Sequence, residues 1–169
     1  IFAETPGRVA QAYAEFFSGV GVDPLTHLRD TMPIGEESGE LVLMRDITLR
    51  SVCEHHLLPF RGRAHVAYRP GDRIAGLGAI PRVVETLAAR PQLQERLGEQ
   101  IADAIETGLG ARGVLVVLEA AHGCVSDRGV QQAEASVISM ASRGVFGQAV
   151  ERAEVLTLIE ASGRARSAQ

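Results

Sequence analysis

The sequence predicts an α+β domain built on an antiparallel sheet with helices packed on one face. Three observations carry that expectation. Apolar residues recur with a period of two between Glu40 and Leu77, and in steps of four between Leu93 and Leu109. From Val114 to Ala121 they run almost without interruption, as a central strand would. At 169 residues, 46% hydrophobic and 22% charged, the chain has the size and composition of one globular unit. We therefore expect a single domain over residues 1–169, with an N-terminal helix at about 5–18 and a core at about 40–161.

In chain order, Thr5-Pro6 offers an N-cap and a proline at the first helical position. Val9, Tyr13, Phe16, Phe17 and Val20 follow as an apolar stripe, and Gly19 is placed to end the helix. Asp23 to Asp30 reads as a short turn and Pro33 to Gly39 as a polar loop. From Glu40 onward Leu41, Leu43, Ile47 and Leu49 share one face of a strand, a parity that Cys53 continues. Arg61 to Arg69 alternates as a second strand, Pro70-Gly71-Asp72 turns it, and Arg73 to Leu77 is a third. Prolines announce two helices, Pro81 to Ala89 and Pro91 to Leu109, the second closed by Gly110. After the apolar strand, Arg128 to Phe146 is irregular and leans to β at Val130 and Val137-Ile138. Gln148 to Ala161 is a last amphipathic helix.

Composition excludes several classes. No apolar run approaches a membrane span of about 20 residues, and no signal-peptide pattern is present. The chain is expected to be soluble and cytoplasmic, and because Ile1 is not an initiator a preceding segment is expected as well. A net charge of −4 argues against nucleic acid as a partner. All 17 basic residues are arginine, so an anion site must be built from guanidinium, imidazole or backbone N–H groups.

The chemistry concentrates in Cys53-Glu54-His55-His56 and His122-Gly123-Cys124, which hold both cysteines and three of the five histidines. Cys53 and His56, three apart, can face one ion from a turn, and zinc takes thiolate and imidazole readily. Cys124 is the only other thiol. His122 shares its face if the preceding strand continues that far, so one of this pair can bind metal while the other faces the same cavity. Two thiolates and one imidazole would leave a fourth position for water, the pattern of a catalytic zinc site, with His55 and His122 as spare proton carriers. A closed Cys-His-His-Cys structural site and a Cys53–Cys124 disulfide are the alternatives. A zinc deaminase would need H-x-E followed by P-C-x-x-C, and neither occurs. His65 alternates with arginines and His27 sits in a polar stretch, so both are expected in solvent.

Cys53-Glu54-His55-His56 with the following Leu-Pro-Phe, Gly76-Leu77, Arg90 to Leu97, His122-Gly123-Cys124 and Arg128-Gly129-Val130 stand in the order and spacing of type I GTP cyclohydrolase. The chain resembles that family from Thr5-Pro6 to the last helix. The resemblance implies the tunnelling fold, in which subunit sheets join into a barrel and two rings stack as a homodecamer. It implies a zinc hydrolase in which water adds to C8 of the guanine of GTP, the imidazole ring opens, formate leaves and the ribose recloses to dihydroneopterin triphosphate, for pterin, folate or deazapurine synthesis. By position it makes Cys53, His56 and Cys124 the zinc ligands and His55 and His122 the proton-transfer groups. Gln94 and Glu95 would hold the guanine edge, and Arg82 and Arg128 the phosphates.

Two departures are visible. Where the family has Ser-Lys after Gly-Leu, this chain has Gly78-Ala79, and a threonine-rich strand is replaced by Glu134 to Met140. Two further readings follow from these, a paralogue acting on another guanine nucleotide and a catalytically silent, zinc-stabilised binding module.

Overall fold

The computed structural model describes residues 2–35 and 40–167, with the side chains of the last helix described to residue 161. In chain order the elements are α1 (Thr5–Phe16), β1 (Thr31–Pro33), β2 (Val42–Cys53), β3 (Pro59–Arg69), β4 (Arg73–Ala75), α2 (Ala79–Ala88), β5 (Pro91–Gln92), α3 (Gln94–Leu109), β6 (Gly113–His122), α4 (Gly123–Ser126), β7 (Val137–Gly144) and α5 (Ala149–Ser167). The main sheet has the order β5-β2-β3-β6-β7, antiparallel except where β5 runs beside the end of β2, and β1 pairs with β4 in a separate ribbon. The apolar run thus lies second from one edge, flanked by β3 and β7.

The four-step stripe of α3 is the spine of the core. Leu97, Ile101, Ile105 and Leu109 are each 0% exposed, and burying each such side chain contributes about 1.5–3 kcal/mol. With Val83, Val84 and Leu87 of α2 they cover the sheet face presented by Phe60, Ala64 and Val66 of β3 and Val114, Val116 and Leu118 of β6. Gly110 ends α3 at φ 59°, a left-handed cap that glycine adopts without strain. In addition to this layer, Val155 of α5 packs on the opposite face against Ala67, Leu115, Val117 and Phe146, and Arg69 holds Glu151 at 2.8 Å. Among the described residues no helix is long and apolar enough to cross a membrane.

Several expectations are corrected. Leu41 and Leu43 do not share a face with Ile47 and Leu49: the first pair packs on the α5 side and the second in the main core. A β-bulge between Met44 and Ile47, with Asp46 at φ 62°, inserts a residue and reverses the parity. His65, opposite this bulge, is 6% exposed rather than solvated, and its Nδ1 accepts from the Asp46 backbone N–H at 3.2 Å. Burial holds its pKa below the ordinary histidine value. His27 is half-buried, 2.8 Å from Thr86 Oγ1. Pro91 does not open a helix; its backbone pairs with Val52, and α3 starts at Gln94 with Leu93 as extended cap. Glu4, not Thr5, stands at the N-cap of α1, without a side-chain capping bond. Thr31 to Pro33 is a short strand, while residues 36–39 of the expected loop lie outside the described residues. Val130 is in no strand.

Candidate metal centre and active site

The first cluster forms the turn of the β2–β3 hairpin. Cys53 closes it from both sides, donating its N–H to the Leu58 carbonyl and accepting from the Leu57 N–H, each at 2.8 Å, with Leu57 at φ 52°. The turn is held from three directions. The Glu54 N–H donates to the Gln92 carbonyl at 2.9 Å, Tyr13 of α1 donates its hydroxyl to the Leu57 carbonyl at 2.9 Å, and Arg96 of α3 grips the Glu54 carboxylate. That guanidinium, which also reaches the Pro91 carbonyl at 3.1 Å, holds the Glu54 carboxyl below its ordinary pKa.

The second cluster arrives through strand register. Phe60 pairs with His122 across β3 and β6, while Val52 pairs with Pro59 across β2 and β3, so residues far apart in the chain meet at one end of the sheet. The strand ends at His122, and Cys124 stands in the helical turn α4. The expected strand parity between His122 and Cys124 therefore does not apply. Gly123 begins that turn against β3, where an added Cβ would lie 3.0 Å from the Pro59 carbonyl oxygen and 3.1 Å from an Asp127 carboxylate oxygen. A larger residue there would have to push Pro59 or the Asp127 side chain aside by a few tenths of an ångström.

Cys53, His56 and Cys124 converge, with one ligand atom of each lying within 4.8 Å of the others; Cys53 is buried, Cys124 half-buried and His56 exposed. The three could hold a metal ion. Both cysteines are free thiols. Burial first, and the neighbouring Cys53 thiol second, push the Cys124 pKa up, while the charge of Arg128 pulls it down. A bound cation would reverse that balance by favouring thiolate.

His55 is exposed beside His56, the two rings 6.1 Å apart and nearly perpendicular, and it is not part of the converging triad. Nor is His122, which is half-buried. Its ring stacks on Phe60 at 4.6 Å and 13°, and its Nε2 lies 2.7 Å from Gln94 Oε1. Burial lowers its pKa and the nearby charge of Glu95 opposes that. Glu95 is exposed in the first turn of α3, whereas Gln94 is 2% exposed and engaged by β6 and β7. Arg82, in the first turn of α2, and Arg128, beyond α4, are both exposed. Phe60, Arg96 and Tyr13 were not read from the sequence as parts of the site. Their contacts with the site come from distant segments and carry no local signal in the sequence.

A profile of the GTP cyclohydrolase I family matches residues 1–160. The chain belongs to that family. It is 59% identical over 155 residues to GTP cyclohydrolase 1 of Leifsonia xyli subsp. xyli, covering 92% of this chain and 81% of that protein. The GTP cyclohydrolase 1 of Carboxydothermus hydrogenoformans is 52% identical over 158 residues, with coverage of 92% and 81%. That of Bacillus subtilis is 50% identical over 159 residues, with coverage of 93% and 83%. Among solved structures, the archaeosine synthase QueF-Like in the apo form gives a TM-score of 0.48 at 17% identity, over 64% of this chain and 97% of that one, too distant to bear on the site. Among the described residues, the converging thiols and imidazole have the donor chemistry for a metal.

Proposed function

We propose that the protein opens the imidazole ring of GTP, releasing C8 as formate and reclosing the remainder to 7,8-dihydroneopterin triphosphate with net consumption of one water. The observation that best supports this reading is the meeting of Cys53, His56 and Cys124 in a chain matching the family over residues 1–160. Two thiolates and an imidazole suit zinc, and three protein donors leave a fourth position for water, as catalytic zinc sites do. Zinc held there would supply a Lewis acid and a water that loses its proton near neutral pH.

The chain's own groups supply the rest. His122, whose neutral form is favoured by burial, takes a proton and returns it to a ring nitrogen as that atom's bond to C8 breaks; His55, exposed beside His56, is the second proton carrier. The exposed carboxylate of Glu95 accepts from the N–H and amino donors of the guanine edge. Arg82 and Arg128 grip phosphate through their guanidinium groups. We further propose that residues 1–169 act as one unit, in the cytoplasm, within a homo-oligomer, decameric by resemblance.

One observation favours a second reading. Ala79 is 9% exposed and packed into the core at the start of α2, so no cation stands at that position and the triphosphate is gripped by arginines alone. A guanine nucleotide with fewer phosphates is then a competing substrate. Incubation of the zinc-loaded protein with GTP labelled with ¹³C at C8 tests the reading: the label should appear as free formate, and zinc-loaded protein that leaves it in the purine contradicts it.

A further inference from the structure

Gln94, the first residue of α3, is 2% exposed and its amide is fully engaged. Nε2 lies 3.2 Å from the Leu118 carbonyl, 3.0 Å from the Val137 carbonyl and 3.0 Å from Ser139 Oγ. Two of those partners can only accept, so the amide nitrogen must be the atom among them and Oε1 must point away. Oε1 points at His122, 2.7 Å from its Nε2. Because an amide oxygen can only accept, that ring nitrogen carries the hydrogen, and in the neutral ring Nδ1 keeps the free lone pair. The plane of the ring is set by the Phe60 stack. Leu118 and Ser139 are register partners across β6 and β7, so the amide is anchored on a ladder of two strands.

We propose that Gln94 is a positioning residue: its buried amide holds His122 in the Nε2–H tautomer, leaving Nδ1 as the atom that exchanges protons with the substrate, and its side chain makes no contact with the guanine. Both hydrogens of the amide are taken by β6 and β7, and Oε1 is taken by His122. A carboxamide free to read a base edge would need one of these released, at the loss of a hydrogen bond to β6, to β7 or to His122. The neighbouring Glu95 is exposed and has its carboxylate available. The inference rests on the reading of His122 as a proton-transfer group given above.

Two measurements on the zinc-loaded full chain decide it. Magic-angle-spinning NMR of sedimented, ¹⁵N-histidine-labelled protein reads the tautomer, with the His122 signals identified by their loss in His122→Asn. A protonated Nε2 with an unprotonated Nδ1 is expected, and an Nδ1–H tautomer in the native protein overturns the proposal. The second is a double-mutant cycle on formate release from GTP. Gln94→Met should lower kcat about 10- to 100-fold with KM within about threefold, and adding it to His122→Ala should slow the enzyme by no more than about a further threefold. Losses that multiply, or a KM about tenfold higher at unchanged kcat, would mean that Gln94 touches the base directly and would refute the positioning role. Should Gln94→Met not fold, the native spectrum decides alone. A native protein that releases no formate refutes the function proposed above, and the tautomer still settles what Gln94 does.

Discussion

Replacing His122 with alanine separates a metal ligand from a proton carrier, and the structure sets the size of each effect. Loss of the ring removes the donor from Gln94 Oε1, a buried acceptor, which destabilises by about 1–3 kcal/mol. It also removes the stacked partner of Phe60, worth about 0.5–1.5 kcal/mol for an aromatic pair. The variant should therefore lose about 1.5–4.5 kcal/mol in urea denaturation, which leaves a domain of ordinary stability, about 5–15 kcal/mol, folded. Zinc content should be unchanged, because none of the three converging ligand atoms belongs to His122. Turnover should fall about 10²- to 10⁴-fold, the usual contribution of a positioned acid or base. Metal content by chelator release, denaturation and formate production would be measured on one preparation. If zinc leaves with the ring, His122 is a fourth ligand, the shell is closed and the silent-module reading gains. If the folded variant turns over at the native rate, the assigned proton role is wrong.

Cys124→Ser should empty the site, since two remaining donors hold zinc poorly; native zinc occupancy in that variant would disprove the triad. His65 gives a pH test. Its folded pKa is lowered by burial, so the unfolded chain takes up the proton first, near the ordinary value of about 6.5, and stability falls as pH drops below that point. His65→Gln, which can still accept from the Asp46 N–H, should lose less stability than the native chain between about pH 7.5 and about pH 5.5; an equal loss refutes the assignment. Arg128→Ala should raise KM for GTP about 10- to 100-fold, the scale of one charge-assisted contact to phosphate. In the native chain GTP should be preferred over GDP and GMP only weakly. A strong triphosphate preference would show that another cation stands where Ala79 supplies none.

What was legible in the sequence was local. The four-step stripe of α3, the alternation of β3 and the apolar run of β6 each record their own burial in side-chain periodicity, and the two clusters of cysteine and histidine were legible because they concentrate every thiol of the chain. The bulge in β2 was not, since Arg45 and Asp46 fall between leucines and isoleucine without breaking the apparent alternation. Only the extra residue at the bulge, where Asp46 takes a positive φ and donates its N–H to the His65 ring, reverses the faces. Pro91 carries the signal of a helix start, and the pairing of its backbone with Val52 outweighs it. Gln94 lies off the apolar stripe and reads as a solvated helix position, yet Leu118, Val137 and His122 supply polar partners from distant segments and bury it. Such partners have no trace in the residue's own neighbourhood. Arg96, Tyr13 and Phe60 were missed for the same reason, because they act on the site through tertiary contacts.

On the function proposed above, ring opening of GTP depends on a metal held by Cys53, His56 and Cys124. The most direct measurement is formate release from GTP by one sample assayed as purified, after chelation and after zinc is restored. Formate should appear in proportion to GTP consumed, be lost on chelation and return with about one zinc per chain. Formate release that persists undiminished in fully demetallated protein, or none in the fully reconstituted protein, would contradict that reading.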